Sequence, residues 1–322
     1  MASRTLSENI NQAISDFNGI KQAIIDKGVQ VPSGTPTSQY GAKIGEIQSG
    51  GGDTTAKDMI ERKVTSLTVP NDVTTIGERA FYYWNTLTSI SLPDRVTSIG
   101  NYAFYCCSKL VLTSLPNSIT SIGNHAFYQC SKIALTSLPN GITSIGSNVF
   151  VSCTNLALTS LPDGLVSIGT AAFQNCKKIA LTSLPEPITT MERQAFQNCT
   201  ELTLTSLPSN LTVINSTVFY GCTKLALTSL PDGITSIGDS AFYNCTKLAL
   251  TSIPAGVQSI SASAFRNNTG LKTITFLGKP NSIATSAFNR CTNITSITCP
   301  WKRGAVSGAP WGATNATITY TG

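Results

Sequence analysis

Eight cysteines, Cys107, Cys130, Cys153, Cys176, Cys199, Cys222, Cys245 and Cys291, each stand three residues after a phenylalanine, in phrases such as SAFYNC at Ser240 to Cys245. A thiol in a fixed setting can ligate a metal, attack as a nucleophile, pair as a disulfide or fill a core, and spacing separates these roles. Zinc ligands converge from different directions, commonly from CxxC pairs, and the chain contains no CxxC. In the same register Trp84 and Asn268 replace the cysteine, so the position does not demand sulfur. Stacked copies would bring neighbouring cysteines near bonding distance, but parallel Cβ vectors give the wrong dihedral for a disulfide. The spacing therefore reads as a column of core thiols, with disulfides or metal as the alternatives.

Other chemistry has little to build on. His125 is the only histidine, and it occupies a position held elsewhere by Arg79, Tyr102, Asn148, Ala171 and Gln194, a variable surface site rather than a catalytic base. Gly141 to Gly146, GITSIG, has the glycine spacing of a phosphate loop but no lysine follows. The 16 acidic residues are scattered, so no carboxylate pair is set up for acid–base work. No catalytic residue, metal ligand or cofactor is assigned, and the chain is expected not to be an enzyme.

The residues after each phenylalanine do vary: Tyr82, Tyr105, Tyr128, Val151, Gln174, Gln197, Tyr220, Tyr243, Arg266 and Asn289. Adding Tyr83, Trp84, Tyr102 and His125 gives an aromatic gathering near the start of the array. Tyr82, Tyr83, Trp84, Tyr102, Tyr105, His125 and Tyr128 are the candidate ligand-binding residues, suited to a sugar or a protein partner, or to plain packing against the N-terminal segment. Lys109, Lys132, Lys178, Lys224 and Lys247 form a further column, read as a solvated ridge that discourages stacks from joining.

The elements that position these residues follow from one period. Ten phenylalanines, from Phe81 to Phe288, recur every 23 residues without insertion, and Pro70 to Pro254 keep the same spacing. That is a solenoid. Within a repeat, LTSLP and ITSIG are short β-branched or apolar runs bounded by PDG or PNG turns, which predicts two short strands per coil, and SAFYNC predicts a helical or 3₁₀ turn carrying the chain back. Net charge +6 over 322 residues, with 12% charged residues, is too dilute for a nucleic-acid groove. No 18-residue apolar run points to membrane insertion, and the start, MASRTLSENINQAISDF, has no apolar run of a secretory signal.

Residues such as LPDGITSIGDSAFYNC resemble the leucine-rich repeats of the BspA-like class. The resemblance covers about residues 62–300 and implies a curved solenoid that binds proteins or glycans without catalysis. The middle copies read KLALTSLP, with apolar residues three and five after the cysteine, against TLTSISLP around Leu87 and Ile90.

The ends differ in kind. Leu6, Ile10, Ala13, Phe17, Ile20 and Ile24 are spaced as heptad a and d positions, and Lys27 with Gly28 closes a helix. Residues 1–49 thus read as a helical module for docking or oligomerisation, or as a hairpin packed on itself or on the first coil, and 50–61 as a Gly-rich linker and N-cap. IKQAIIDKGVQVPSGTPTSQYGAKIGEI resembles the start of tail-associated proteins in phages of Gram-positive bacteria. The last segment, 301–322, resembles the closing segment of repeat proteins in the same setting, with Trp301 and Trp311 able to cover an open coil and ATITY a final strand. The combined expectation is a mostly β repeat solenoid with an N-terminal helical module, acting as a virion tail fibre or receptor-binding protein. Its expected partners are a host-surface glycan or protein, other tail or baseplate proteins, and copies of itself, a trimer ahead of a dimer. The alternative is a bacterial surface adhesin or scaffold of the same repeat family.

Overall fold

A β-branched residue after a serine or threonine, repeated at constant spacing, gives most coils a strand whose isoleucine points in and whose hydroxyl points out, with Thr190–Met191 and Val213–Ile214 as variants. The computed structural model describes residues 64–322. The helical module expected over 1–49, with Leu6, Ile10, Ala13, Phe17, Ile20 and Ile24, and the linker of 50–61 lie outside the described residues. The chain divides into two units, the first running to Ile142 and including Val149–Leu156, the second made of Thr143–Asn148 and Ala157–Gly322.

In the first unit, β1 (Ser66–Thr68) pairs in parallel with β3 (Ser89–Ser91), and β2 (Thr75–Ile76), β4 (Ser98–Ile99) and β5 (Ser121–Ile122) form a second parallel ladder. Ile76, Ile99 and Ile122 are direct partners, one per coil. The second unit holds three parallel ladders. The first joins β6 (Ser144–Ile145), β7 (Ser167–Ile168) and β8 (Thr190–Met191). The second joins β9 (Val213–Ile214), β10 (Ser236–Ile237), β12 (Ser259–Ile260) and β14 (Ser282–Ile283). The third joins β11 (Ser252–Ile253), β13 (Thr273–Phe276), β15 (Ser296–Cys299) and β16 (Thr317–Tyr320). The parallel solenoid of 23-residue coils expected from the period is therefore present in both units.

Two local expectations need correction. First, the LTSLP strand is missing from the middle copies, which carry only the ITSIG strand. There the buried side chains fall three, five and eight residues after the cysteine, as in Leu202, Leu204 and Leu207. Two exposed residues, Thr205 and Ser206, then stand side by side, which period-two alternation forbids. In the end copies Ile90 and Ile274 lie six after that register position and alternate properly, so strands form. The middle copies keep a single rung, such as Ala226 N–H to Leu204 O at 3.1 Å.

Second, the SAFYNC segment is not a helical turn. In coil after coil the residues two before and two after the phenylalanine have left-handed backbones, as at Tyr102 (φ 56°), Cys106 (φ 59°), Asn175 (φ 61°) and Asn198 (φ 59°). Amides then alternate between local and inter-coil partners: Tyr82 N–H donates back to Arg79 O, while Phe81 N–H donates to Ala103 O of the next coil at 2.7 Å. The turn is thus a third hydrogen-bonded column, and it satisfies the backbone that a strand or helix would otherwise satisfy.

The phenylalanines are buried and stacked within each unit. Phe104 and Phe127 have centroids 5.2 Å apart and planes 4° apart, and Phe219 and Phe242 are 5.6 Å apart. Such offset pairs contribute about 0.5–1.5 kcal/mol beyond area burial. At the C-terminal end Trp301 and Trp311 are buried, Trp311 lying 5.8 Å from Phe276. Its carbonyl accepts from Phe288 N–H, and β16 pairs with β15 two residues short of the 23-residue spacing. The final strand expected over ATITY is β16.

Candidate functional site

Because each phenylalanine points inward, the residue after it and the residue two before it emerge together on the outer side of the turn. Stacking coils turns these two positions into two adjacent columns. In the first unit they carry Tyr82, Tyr105 and Tyr128 in one column and Arg79, Tyr102 and His125 in the other.

Tyr82 and Tyr105 stack at 5.0 Å, and Tyr105 and Tyr128 at 4.7 Å with planes 8° apart. Tyr102 and His125 stack at 4.6 Å, and Arg79 lies over the other side of this column, 5.3 Å from the Tyr102 centroid. The columns touch through Tyr102 and Tyr105 at 5.7 Å and His125 and Tyr128 at 5.9 Å. Tyr83, 43% exposed, stands nearly perpendicular to Tyr82 at 4.7 Å and flanks Tyr105 at 5.3 Å. Six of the seven candidate residues are thereby brought into one patch.

The seventh is not. Trp84 is 8% exposed, packs 5.4 Å from Phe81, and donates its indole N–H to Val64 O at 3.1 Å. It occupies the cysteine register and turns inward with it, so it belongs to the core.

The patch is neutral at its centre. Burial pushes the Tyr82 and Tyr105 hydroxyls above the ordinary phenol range and lowers the pKa of His125, whose Nδ1 has no partner among the described residues. Arg79 sits at the edge, 3.4 Å from Glu78. Cys106 underlies the tyrosines and donates to Gln129 Oε1 at 3.2 Å, its thiol pushed up by burial. The hydroxyls of Tyr82, Tyr102, Tyr105 and Tyr128 make no hydrogen bond within the described residues and are not sealed from solvent. The arrangement offers hydrogen-bonding groups and ring edges.

A shallow concavity of about 400 Å³ lies elsewhere in this unit, where β3 meets the strandless copy, lined by Ile90, Asp94, Val111 and Asn117 among others. Asp94 is its one titratable side chain, which cannot by itself supply paired acid–base chemistry. Among the described residues no three His, Cys, Asp or Glu side chains gather as a metal site, and no helix is long and apolar enough to cross a membrane.

The cysteine column does more than fill space. Cys107 Sγ donates to Phe81 O at 3.0 Å, Cys130 to Phe104 O at 2.9 Å, and Cys222 to Phe196 O at 3.0 Å. Asn268 does the same through Nδ2, to Phe242 O and Phe265 O, both at 2.7 Å. Sequence reasoning missed this bond, although the Asn and Trp at that register, both N–H donors, were the available signal. It also passed over the second unit, where Tyr220 and Tyr243 stack at 4.6 Å and Arg266 lies 5.8 Å from the Tyr243 ring. The lysines of the ridge are exposed, and Lys224 pairs with Glu201.

Comparison with known proteins finds a match to the BspA type leucine rich repeat region over residues 60–180 and 189–304. Among solved structures, a leucine rich cell surface protein from Faecalibacterium prausnitzii is 25% identical, covering 79% of this chain and 87% of that chain, with a TM-score of 0.49. A leucine-rich repeat protein from Bacteroides ovatus is 26% identical over 80% of this chain and 84% of that chain, with a TM-score of 0.40. The pneumococcal vaccine antigen PcpA is 17% identical over 79% and 88% respectively, with a TM-score of 0.46. No curated protein matches the chain.

Proposed function

We propose a non-enzymatic recognition role for this chain, which belongs to the BspA type leucine-rich repeat family. The repeats act as scaffold, and the tyrosine–histidine patch of the first unit binds a glycan or protein displayed on a cell surface. The observation that carries this is the joining of two variable columns into one aromatic patch in which the hydroxyls of Tyr82, Tyr102, Tyr105 and Tyr128 have no partner among the described residues. Packing within the fold does not require those rings: other coils place Gln174, Gln197 or Asn289 at the same position.

Surface adhesin or scaffold is the better supported form of this role, because it asks for nothing beyond the repeat family. Attachment to a phage tail rests on the resemblance of Ile20 to Ile47 and of the last segment. Neighbouring reading frames test it: tail or baseplate genes beside this one favour the virion, and their absence counts against it. The binding role itself is tested by replacing Tyr82, Tyr105 and Tyr128 with alanine together. Adhesion to cells that bind the native protein should fall about 10-fold or more at a temperature where both proteins remain folded, as expected when clustered aromatic anchors are lost, while the two lost stacks lower the melting temperature. Unchanged adhesion would overturn the assignment of this face.

A further inference from the structure

The patch is built in a way that restricts its ligand. In most aromatic binding sites ring faces are open and a partner stacks on them. Here both faces of Tyr105, and one face each of Tyr82 and Tyr128, are taken up within the stack, with planes 21° and 8° apart. What reaches solvent is a row of ring edges and hydroxyls rising at the coil spacing, 5.0 Å and then 4.7 Å between ring centres. Each hydroxyl both donates and accepts, and none is used by the described residues.

A ladder of identical groups favours a ligand whose own repeat matches its rungs. An extended peptide advances about 3.3 Å per residue, and side chains on one face recur at about 6.7 Å, so neither repeat stays in step with this ladder. A pyranose chain linked equatorially at both ends advances by one ring and one bridging oxygen, close to one coil spacing. Its ring edges carry hydroxyls outward at every unit. Tyr83, perpendicular to Tyr82 and flanking Tyr105, closes one side of the row, and the Tyr102–His125 column closes the other.

We propose that Tyr82, Tyr105 and Tyr128 form a three-rung subsite for a linear β-linked glycan laid along the coil stack, one sugar to each rung. This rests on the recognition role assigned above and narrows its ligand from surface molecules in general to one polymer geometry. The site fits a neutral chain: burial shifts His125 toward its uncharged form, and Arg79 faces Glu78.

Calorimetry of the full chain with β-1,4-linked N-acetylglucosamine and glucose oligomers of one to six units tests the proposal, with α-1,4-linked glucose oligomers as the geometric control. Affinity for the β-linked series should rise about 10-fold or more from one unit to three and level off beyond four, while the coiling α-linked series gains little with length. Tyr105→Phe keeps the stack and removes one hydroxyl. It should weaken the β-linked trimer roughly 3- to 10-fold, the effect of one hydrogen bond, with an unchanged melting temperature. Equal affinity for monomer and trimer, or a Tyr105→Phe protein that binds like the native one, overturns the ladder. If cell adhesion depends on the three tyrosines but no oligosaccharide binds, the glycan class falls and the recognition face stands. If adhesion survives their loss, both fall.

Discussion

A thiol that donates to a phenylalanine carbonyl must stay protonated, and the surroundings of the column enforce this. Burial raises the thiols of Cys199, Cys222 and Cys245 well above their ordinary value, and pushes Cys291 and Cys299 to about 11. A group whose folded pKa is raised contributes stability that is fully present below its unfolded value, near 9, and lost as pH climbs through the folded value. The melting temperature should therefore be flat from neutrality to about pH 9 and fall between about 9 and 11, with Tyr82 and Tyr105 adding in the same direction. In the folded protein the cysteines should resist alkylation at pH 8, and all ten should react once denatured without reductant. A sub-stoichiometric thiol count would show regular oxidation and contradict the column as described. The phenylalanine beside each thiol is the larger energetic anchor. Phe219 stacks between Phe196 at 5.9 Å and Phe242 at 5.6 Å and is fully buried, so Phe219→Ala should cost about 3–5 kcal/mol in denaturant unfolding.

Within the repeat, the elements show which features a linear pattern carries. Period, inward phenylalanine, inward isoleucine and the closing tryptophans all follow from spacing, because stacking identical coils leaves each register one environment. The missing strands of the middle copies were less legible. KLALTSLP contains the same residue types as TLTSISLP, and only moving one apolar residue from six to five after the cysteine register breaks the alternation. The turn was misread because its left-handed residues are mostly not glycine: Tyr102, His125, Gln194 and Thr217 occupy the conformation. The aromatic patch is legible as a gathering, since all its residues but Tyr83 share two registers, while Trp84 stands in the register of the core column and is buried with it. Two measurements probe this level. Thr217 is β-branched at φ 54°, a costly backbone for its shape, so Thr217→Asn should raise stability by about 1 kcal/mol. In hydrogen exchange, amides of Thr205 and Ser206 should exchange fast while those of Ile274 and Thr275 in β13 are protected, and equal protection would mean that the middle copies form strands after all.

At the scale of the whole chain, repeats that bond mainly to their neighbours do not depend on distant segments for folding, so loss of a terminal segment should be tolerated unless that segment covers core. The described N-terminal end supplies such cover from its own residues, with Trp84 packed on Phe81 and bonded to Val64. Residues 1–52 hold four basic and four acidic side chains and the heptad-spaced series from Leu6 to Ile24, a composition suited to self-association or docking rather than to ligand contact. We expect the intact protein to be an oligomer, with three copies favoured over two, and the protein lacking 1–52 to be a folded monomer whose melting curve stays cooperative. If the tyrosine patch is the binding face, the shortened protein keeps its affinity for a soluble ligand and loses only the gain from several copies acting together, so adhesion to a dense surface should drop roughly 100-fold or more while single-site binding is unchanged. Light scattering on the two forms separates the first claim from the second. A monomeric full-length protein would leave docking as the role of residues 1–52, and a shortened form that also lost single-site affinity would place part of the binding face within them.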